Sequence, residues 1–203
     1  MLSRARNAVN RVQRLMWMLL LAVLLTACAE QGPGFHATDI TGANYGKDFR
    51  LVDSEGQLRT LADFRGKVVV VYFGFIQCPD VCPTALLRAV EAKSLLGDQG
   101  ERMQVVYITV DPERDTPDIV KEYMAAFDPA FIGLHPTLEE LPEVAKTFRV
   151  FYRKVPTGES YTMDHTATSF VYDTEGRLRL AIPHAQSAEH MAADLRTLLG
   201  MAK

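Results

Sequence analysis

Cys78 and Cys82, separated by three residues, are the groups in this chain best placed to do chemistry. They stand in Phe73-Gly74-Phe75-Ile76-Gln77-Cys78-Pro79-Asp80-Val81-Cys82-Pro83, where an apolar run ends and a helix-opening proline follows. Both thiols are expected near the free N–H groups of a helix N-terminus, whose dipole favours thiolate over thiol. A dithiol so placed has three uses: exchange of disulfides as a redox-active pair, binding of a soft metal ion, or an inert structural disulfide. Closing so short a loop is worth only about 2 kcal/mol in chain entropy, a small gain in a domain with a sizeable core. Dithiol oxidoreductases usually place two residues between their cysteines, and the third residue here lets both sulfurs converge on one ion. Thiolates are soft and select Cu(I), while an imidazole suits both Cu(I) and Cu(II). Structural zinc takes four ligands, and this segment supplies two thiols. Two thiolates and one imidazole would leave Cu(I) three-coordinate, with an open side for transfer to a partner.

The imidazole has several possible sources among the five histidines. His165, in Tyr161-Thr162-Met163-Asp164-His165-Thr166-Ala167-Thr168, precedes an extended segment, where a loop is readily aimed at the cysteine turn, and is the preferred third ligand. His135 before Pro136, His184 after Pro183 and His190 in the last helix have turn or surface readings and remain alternatives on sequence grounds. His36 falls in a polar N-terminal stretch and is assigned no role. Asp164 cannot be assumed to orient its neighbour, because adjacent residues in an extended segment face opposite ways. The acids of Asp111-Pro112-Glu113-Arg114-Asp115-Thr116-Pro117-Asp118 read primarily as turn and N-terminal capping groups, with docking of a basic partner or modulation of the copper site as the lesser reading. Phe73, Phe75, Tyr107 and Tyr123 read as core.

Periodicity gives the elements that must hold these groups. Residues 68–75 (VVVVYFGF) and 105–110 (VVYITV) are unbroken β-branched and aromatic runs, expected as central strands covered on both faces. Helices are expected over 83–96, with Leu86, Leu87, Ala89, Val90 and Leu95 at helical spacing; over 118–127, with Ile119, Tyr123, Met124 and Phe127 on one stripe; and over 138–148 and 188–199. Ser54-Glu55-Gly56 and Asp173-Thr174-Glu175-Gly176 read as hairpin turns. This order predicts an α/β, thioredoxin-like domain over residues 46–203: a mixed central sheet with helices on both faces and an N-terminal β-hairpin extension.

The chain has 203 residues, 48% hydrophobic and 23% charged, a profile that excludes disorder, collagen and coiled coil. Of its 22 basic residues four, Arg4, Arg6, Arg11 and Arg14, precede position 28, so the remainder carries 18 against 25 acids. So acidic a body has no electrostatic footprint for a phosphate backbone, and nucleic acid is excluded as a partner. Behind the arginines, Leu15 to Leu25 is wholly apolar but far short of the ~20 residues a membrane-crossing helix needs. Leu25-Thr26-Ala27-Cys28 follows, the layout of an export signal ending in a lipoprotein box. Residues 1–27 are therefore expected to be removed, Cys28 to carry lipid, and residues 28–45 to form a flexible tether.

Taken together, Phe73-Gly74-Phe75 leading into Cys78-Pro79-Asp80-Val81-Cys82-Pro83, then Asp111-Pro112-Glu113-Arg114-Asp115-Thr116-Pro117, then Asp164-His165, resemble the Sco/SenC family of copper proteins. The resemblance runs from about Gly46 to the C-terminus. It implies a membrane-tethered, thioredoxin-like metallochaperone that binds copper, Cu(I) or Cu(II), through Cys78, Cys82 and His165. It also implies a role in assembling the binuclear copper centre of cytochrome c oxidase subunit II, with that subunit or another copper assembly protein as partner. The implied location is the periplasmic face of the bacterial inner membrane. The alternative role is a thiol-disulfide oxidoreductase that reduces the copper-ligand cysteines of the oxidase. One departure stands out: many members have Thr-His before the first cysteine, where this chain has Ile76-Gln77.

Overall fold

The computed structural model describes residues 34–201 and Met16. Its elements are β1 (Thr38–Asp39), β2 (Leu51–Val52), β3 (Leu58–Arg59), β4 (Val68–Gly74), α1 (Val81–Leu95), β5 (Met103–Thr109), α2 (Pro117–Phe127), β6 (Ile132–Leu134), α3 (Leu141–Phe148), β7 (Tyr152–Thr157), β8 (Ser160–His165), β9 (Ser169–Tyr172), β10 (Leu178–Ile182) and α4 (Ala188–Gly200). Six of the strands form one sheet in the order β1-β10-β9-β4-β5-β6. β4, β5 and β6 run parallel, and β9, β10 and β1 each run antiparallel to their neighbours.

The central pair explains its own sequence. Every residue of β4 and β5 is buried, so neither strand has a polar face, and the runs show no alternation. Each of the four consecutive valines of β4 contributes roughly 2 kcal/mol by leaving water. Successive side chains still point to opposite faces. Tyr72 reaches Cys82 of α1, and Tyr107 of β5 meets Tyr123 of α2 at 6.1 Å between ring centroids. Phe73 turns the other way and packs at 5.0 Å against Phe148 of α3. Helices therefore cover both faces of a mixed sheet, and β2–β3 supplies the N-terminal hairpin, as the sequence leads one to expect.

Both hairpin turns use one device. Asp53 accepts from the Glu55 and Gln57 amides and from Arg59, and Asp173 accepts from the Glu175 and Arg177 amides and from Arg177 and Arg179. Burial alone would raise these carboxyls, but the donors outweigh it and hold both below the usual aspartate value. Gly56 and Gly176 complete the turns at φ of 78° and 73°, which other residues rarely adopt.

Four expectations are corrected. Residues 35–45 are not tether: the amides of His36 and Ala37 donate to the buried Asp194 carboxylate, and Thr38–Asp39 pairs with β10. His36 also stacks on His190, with centroids 4.0 Å apart. Leu87, Leu95 and Ile119 face solvent, while Leu86 and Ala89 of α1 and Val120 and Met124 of α2 form the buried stripes. β6 and the β7–β8 hairpin are elements that the periodicity does not reveal. Asp111 and Asp115, read as turn and capping groups, lie in a turn closed on the Asp111 carbonyl but cap no helix, and their carboxylates bond instead to groups around the cysteine turn. Among the described residues no helix is long and apolar enough to cross a membrane. Residues 1–27 and Cys28, except Met16, lie outside the described residues.

Candidate metal centre

At the end of β4 the chain turns sharply into α1. The Cys78 amide donates to the Phe75 carbonyl at 3.2 Å, and α1 begins at Val81. Pro83 fits the first turn, where its missing N–H removes no helix bond. The Cys82 amide, one of the first-turn donors that lack an intrahelical partner, points instead at Cys78 Sγ, 3.4 Å away. Cys82 is fully buried beneath this turn and Cys78 half-buried above it. Gly74 makes room for Cys82: a Cβ there would lie 3.0 Å from Cys82 Sγ and 2.8 Å from Tyr107.

Burial overrides the dipole at Cys82. Desolvation, aided by the nearby Cys78 sulfur, pushes its thiol up to about 12 despite hydrogen bonds that favour the thiolate, Tyr72 among them. The expectation of two low-pKa thiols therefore fails for Cys82. A buried thiol of this kind gives up its proton when a bound cation supplies compensating charge.

His165 comes from the last position of β8, not from a loop. Antiparallel pairing with β7 sets it opposite Tyr152. Its Nδ1 lies 3.0 Å from the Thr166 carbonyl, which can only accept, so Nδ1 carries the proton and Nε2 keeps its lone pair. Nε2 is 3.5 Å from Cys82 Sγ. Desolvation lowers the histidine pKa, outweighing the Thr166 bond and the Asp164 charge, so the ring is held in its neutral, ligating form. Phe75 and Tyr72 stand edge-on to the imidazole at 5.7 and 6.3 Å and fix its plane. Asp164 points away, to an exposed pair with Arg153, as alternation along a strand requires.

The donor atoms of Cys78, Cys82 and His165 all lie within 4.8 Å of one another, the sole such group of His, Cys, Asp and Glu among the described residues. Both cysteines are free thiols. Two sulfurs and a neutral imidazole nitrogen suit a soft ion such as Cu(I). The other histidines do not join them: His135 Nε2 sits 3.2 Å from the Pro112 carbonyl, His190 stacks on His36, and His184 lies in the loop between β10 and α4. Sequence reasoning missed Tyr72, whose hydroxyl donates to Cys82 Sγ at 3.8 Å. Asp115, for whose loop a part in modulating the copper site was only the lesser reading, accepts from the Ile76 amide at 3.1 Å. The signal for Asp115 was the acidic loop itself; Tyr72 gave none, being one more aromatic in a buried run.

The SCO1/SenC family model matches residues 37–200. The chain belongs to the SCO1/SenC family. Among the relatives of this SCO1/SenC protein, the SCO2-like protein of Rickettsia felis is 36% identical over 135 residues, 65% of this chain and 66% of that one. The chain thus spans about two thirds of the length of that relative. Copper-bound ScoI of Bradyrhizobium japonicum is 39% identical with a TM-score of 0.68, covering 76% of this chain and 98% of that one. Apo Sco1 of Thermus thermophilus is 40% identical with a TM-score of 0.73, covering 81% and 97%. At the SCO1/SenC departure, Gln77 has its own use: its Oε1 accepts from Arg114 at 2.9 Å.

Proposed function

We propose that the chain binds one copper ion as cargo through Cys78, Cys82 and His165, and supplies it to the binuclear copper centre of cytochrome c oxidase subunit II. The convergence of three donors within 4.8 Å carries this reading. Family membership and the copper-bound ScoI relative support it. The thiolates give affinity for soft Cu(I), the neutral imidazole adds a third donor, and three donors leave room for a ligand of the recipient to begin exchange. Half-buried Cys78 is the sulfur such a ligand would reach first. Leu-Thr-Ala-Cys supports a lipid anchor at Cys28, holding the domain at the periplasmic face of the inner membrane; Cys28→Ser should release the protein from the membrane fraction, and unchanged retention would remove the anchor.

The test of supply is to mix the Cu(I)-loaded chain with reduced, metal-free copper domain of subunit II under anaerobic conditions. Copper should pass to the domain, followed by the domain's spectrum after oxidation. Retention of copper by the chain would overturn the reading.

The second reading, a thiol reductase acting on the oxidase cysteines, is favoured by one observation, that the sulfurs of Cys78 and Cys82 lie within 4.8 Å of each other at one strand-to-helix turn. It needs the thiols but not His165. With copper chelated, the chain is expected to reduce an oxidised subunit II domain no faster than a Cys78→Ser control. Faster reduction would assign the function to thiol exchange.

A further inference from the structure

The loop Asp111–Asp115 joins β5 to α2 and supplies no ligand, yet its side chains grip both ligand-bearing segments. On the cysteine side, Asp115 accepts from the Ile76 amide at 3.1 Å and Arg114 Nη1 donates to Gln77 Oε1 at 2.9 Å, so the two residues before Cys78 hang from this loop. On the histidine side, the same Nη1 donates to the Tyr161 carbonyl at 2.8 Å, and the guanidinium lies 3.7 Å from the centroid of the Tyr161 ring. The Tyr161 hydroxyl closes the circuit by donating to Asp111 Oδ1 at 2.8 Å, while Asp111 Oδ2 accepts from Arg114 Nε at 2.5 Å. Tyr161 lies on β8, the strand that ends at His165. Lys154 of β7 adds an ion pair to Glu113.

The hairpin needs such a hold. β7 and β8 pair with each other and with no strand of the main sheet among the described residues. A lone two-stranded ribbon is marginal in water, and β7–β8 buries only Met163. Its position relative to the cysteine turn therefore depends on side-chain ties. Arg114 is well suited to tie them, because its planar fork makes several directed bonds at once, and Asp111 is 1% exposed, which takes the pair out of the class of weak surface bridges.

We propose that Arg114 is a positioning residue for His165, a latch that fixes the β7–β8 hairpin against the cysteine turn through Asp111, Gln77 and Tyr161 and so presets the imidazole before metal arrives. The proposal rests on the copper reading of the site for its consequence, not for its geometry. The experiment uses the full chain carrying Cys28→Ser, with and without Arg114→Gln, in wild-type and His165→Ala backgrounds.

Two quantities are read. In the metal-free protein, amide hydrogen exchange of β7–β8 should become about 10-fold faster with Arg114→Gln, as loss of a charged hydrogen bond implies, while β4 and β5 stay unchanged. Cu(I) affinity should fall about 10-fold to 100-fold, the usual cost of losing an orienting partner, and that loss should vanish when His165 is already alanine. Unchanged hairpin exchange, or an equal affinity loss in both backgrounds, would overturn the latch. Should Arg114→Gln loosen the whole sheet, Tyr161→Phe decides, because it removes only the hydroxyl bonded to Asp111: acceleration confined to the hairpin sustains the proposal and none overturns it. If the parent chain bound no Cu(I), the copper reading would fall, and the metal-free exchange would still decide the latch.

Discussion

A chain carrying Cys78→Ser and Cys82→Ser is expected to lose the thermal stabilisation that Cu(I) should confer on the parent. Any ion that binds the folded site alone stabilises by mass action, and free Cu(I) held at about 1,000 times the dissociation constant is worth about 4 kcal/mol. For a domain of this size that is a Tm gain of about 8–16 °C. The serine hydroxyls keep the approximate shape but are hard donors that stay protonated, so the variant retains one imidazole and no soft ligand. The measurement is thermal unfolding at buffered Cu(I) without oxygen, in a Cys28→Ser background that removes the third thiol. A residual gain of several degrees in the double variant would place the copper elsewhere.

The second large effect is expected at Gly74. Its φ is unremarkable, so the demand for glycine is one of space: an added methyl would meet Tyr107 at 2.8 Å and both Cys82 Sγ and Tyr72 at 3.0 Å. All three neighbours are buried, and none has a flexible end to swing away. Gly74→Ala should cost about 1–3 kcal/mol by overpacking, a loss of several degrees in Tm. It should also weaken Cu(I) binding, because Cys82 Sγ is one of the atoms that must yield to the added methyl. Urea unfolding and a copper titration of the variant check both. Unchanged stability together with unchanged affinity would mean that the seat of Cys82 is looser than these contacts imply.

Legibility in the sequence tracks how local each cause is. β4 and β5 stood out because a strand buried on both faces must be apolar throughout, and the cysteine turn stood out because both thiols lie on one strand-to-helix junction. The β7–β8 hairpin did not: its residues are largely half-exposed or exposed, so Tyr152–Thr157 and Ser160–His165 carry almost no alternation, and Pro156 argues against a strand. That is why His165 looked like a loop residue. β1 was hidden for a different reason: two residues become a strand because Asp194, 157 residues away from Ala37, catches the preceding amides. Arg114 and Tyr161 are likewise coupled only through space, and nothing in the order of residues announces it. Burial of Cys82 reversed the one electrostatic expectation taken from local structure, since a helix dipole is a modest effect beside full desolvation.

The proposed copper site consists of Cys78, Cys82 and His165. An anaerobic Cu(I) competition titration, comparing the Cys28→Ser chain with the same chain carrying His165→Ala or both Cys78→Ser and Cys82→Ser, tests it most directly. One tight site per chain is expected, weakened without His165 and absent without the two cysteines. Binding indifferent to His165 would contradict it and leave a bare dithiol, with thiol exchange as its chemistry.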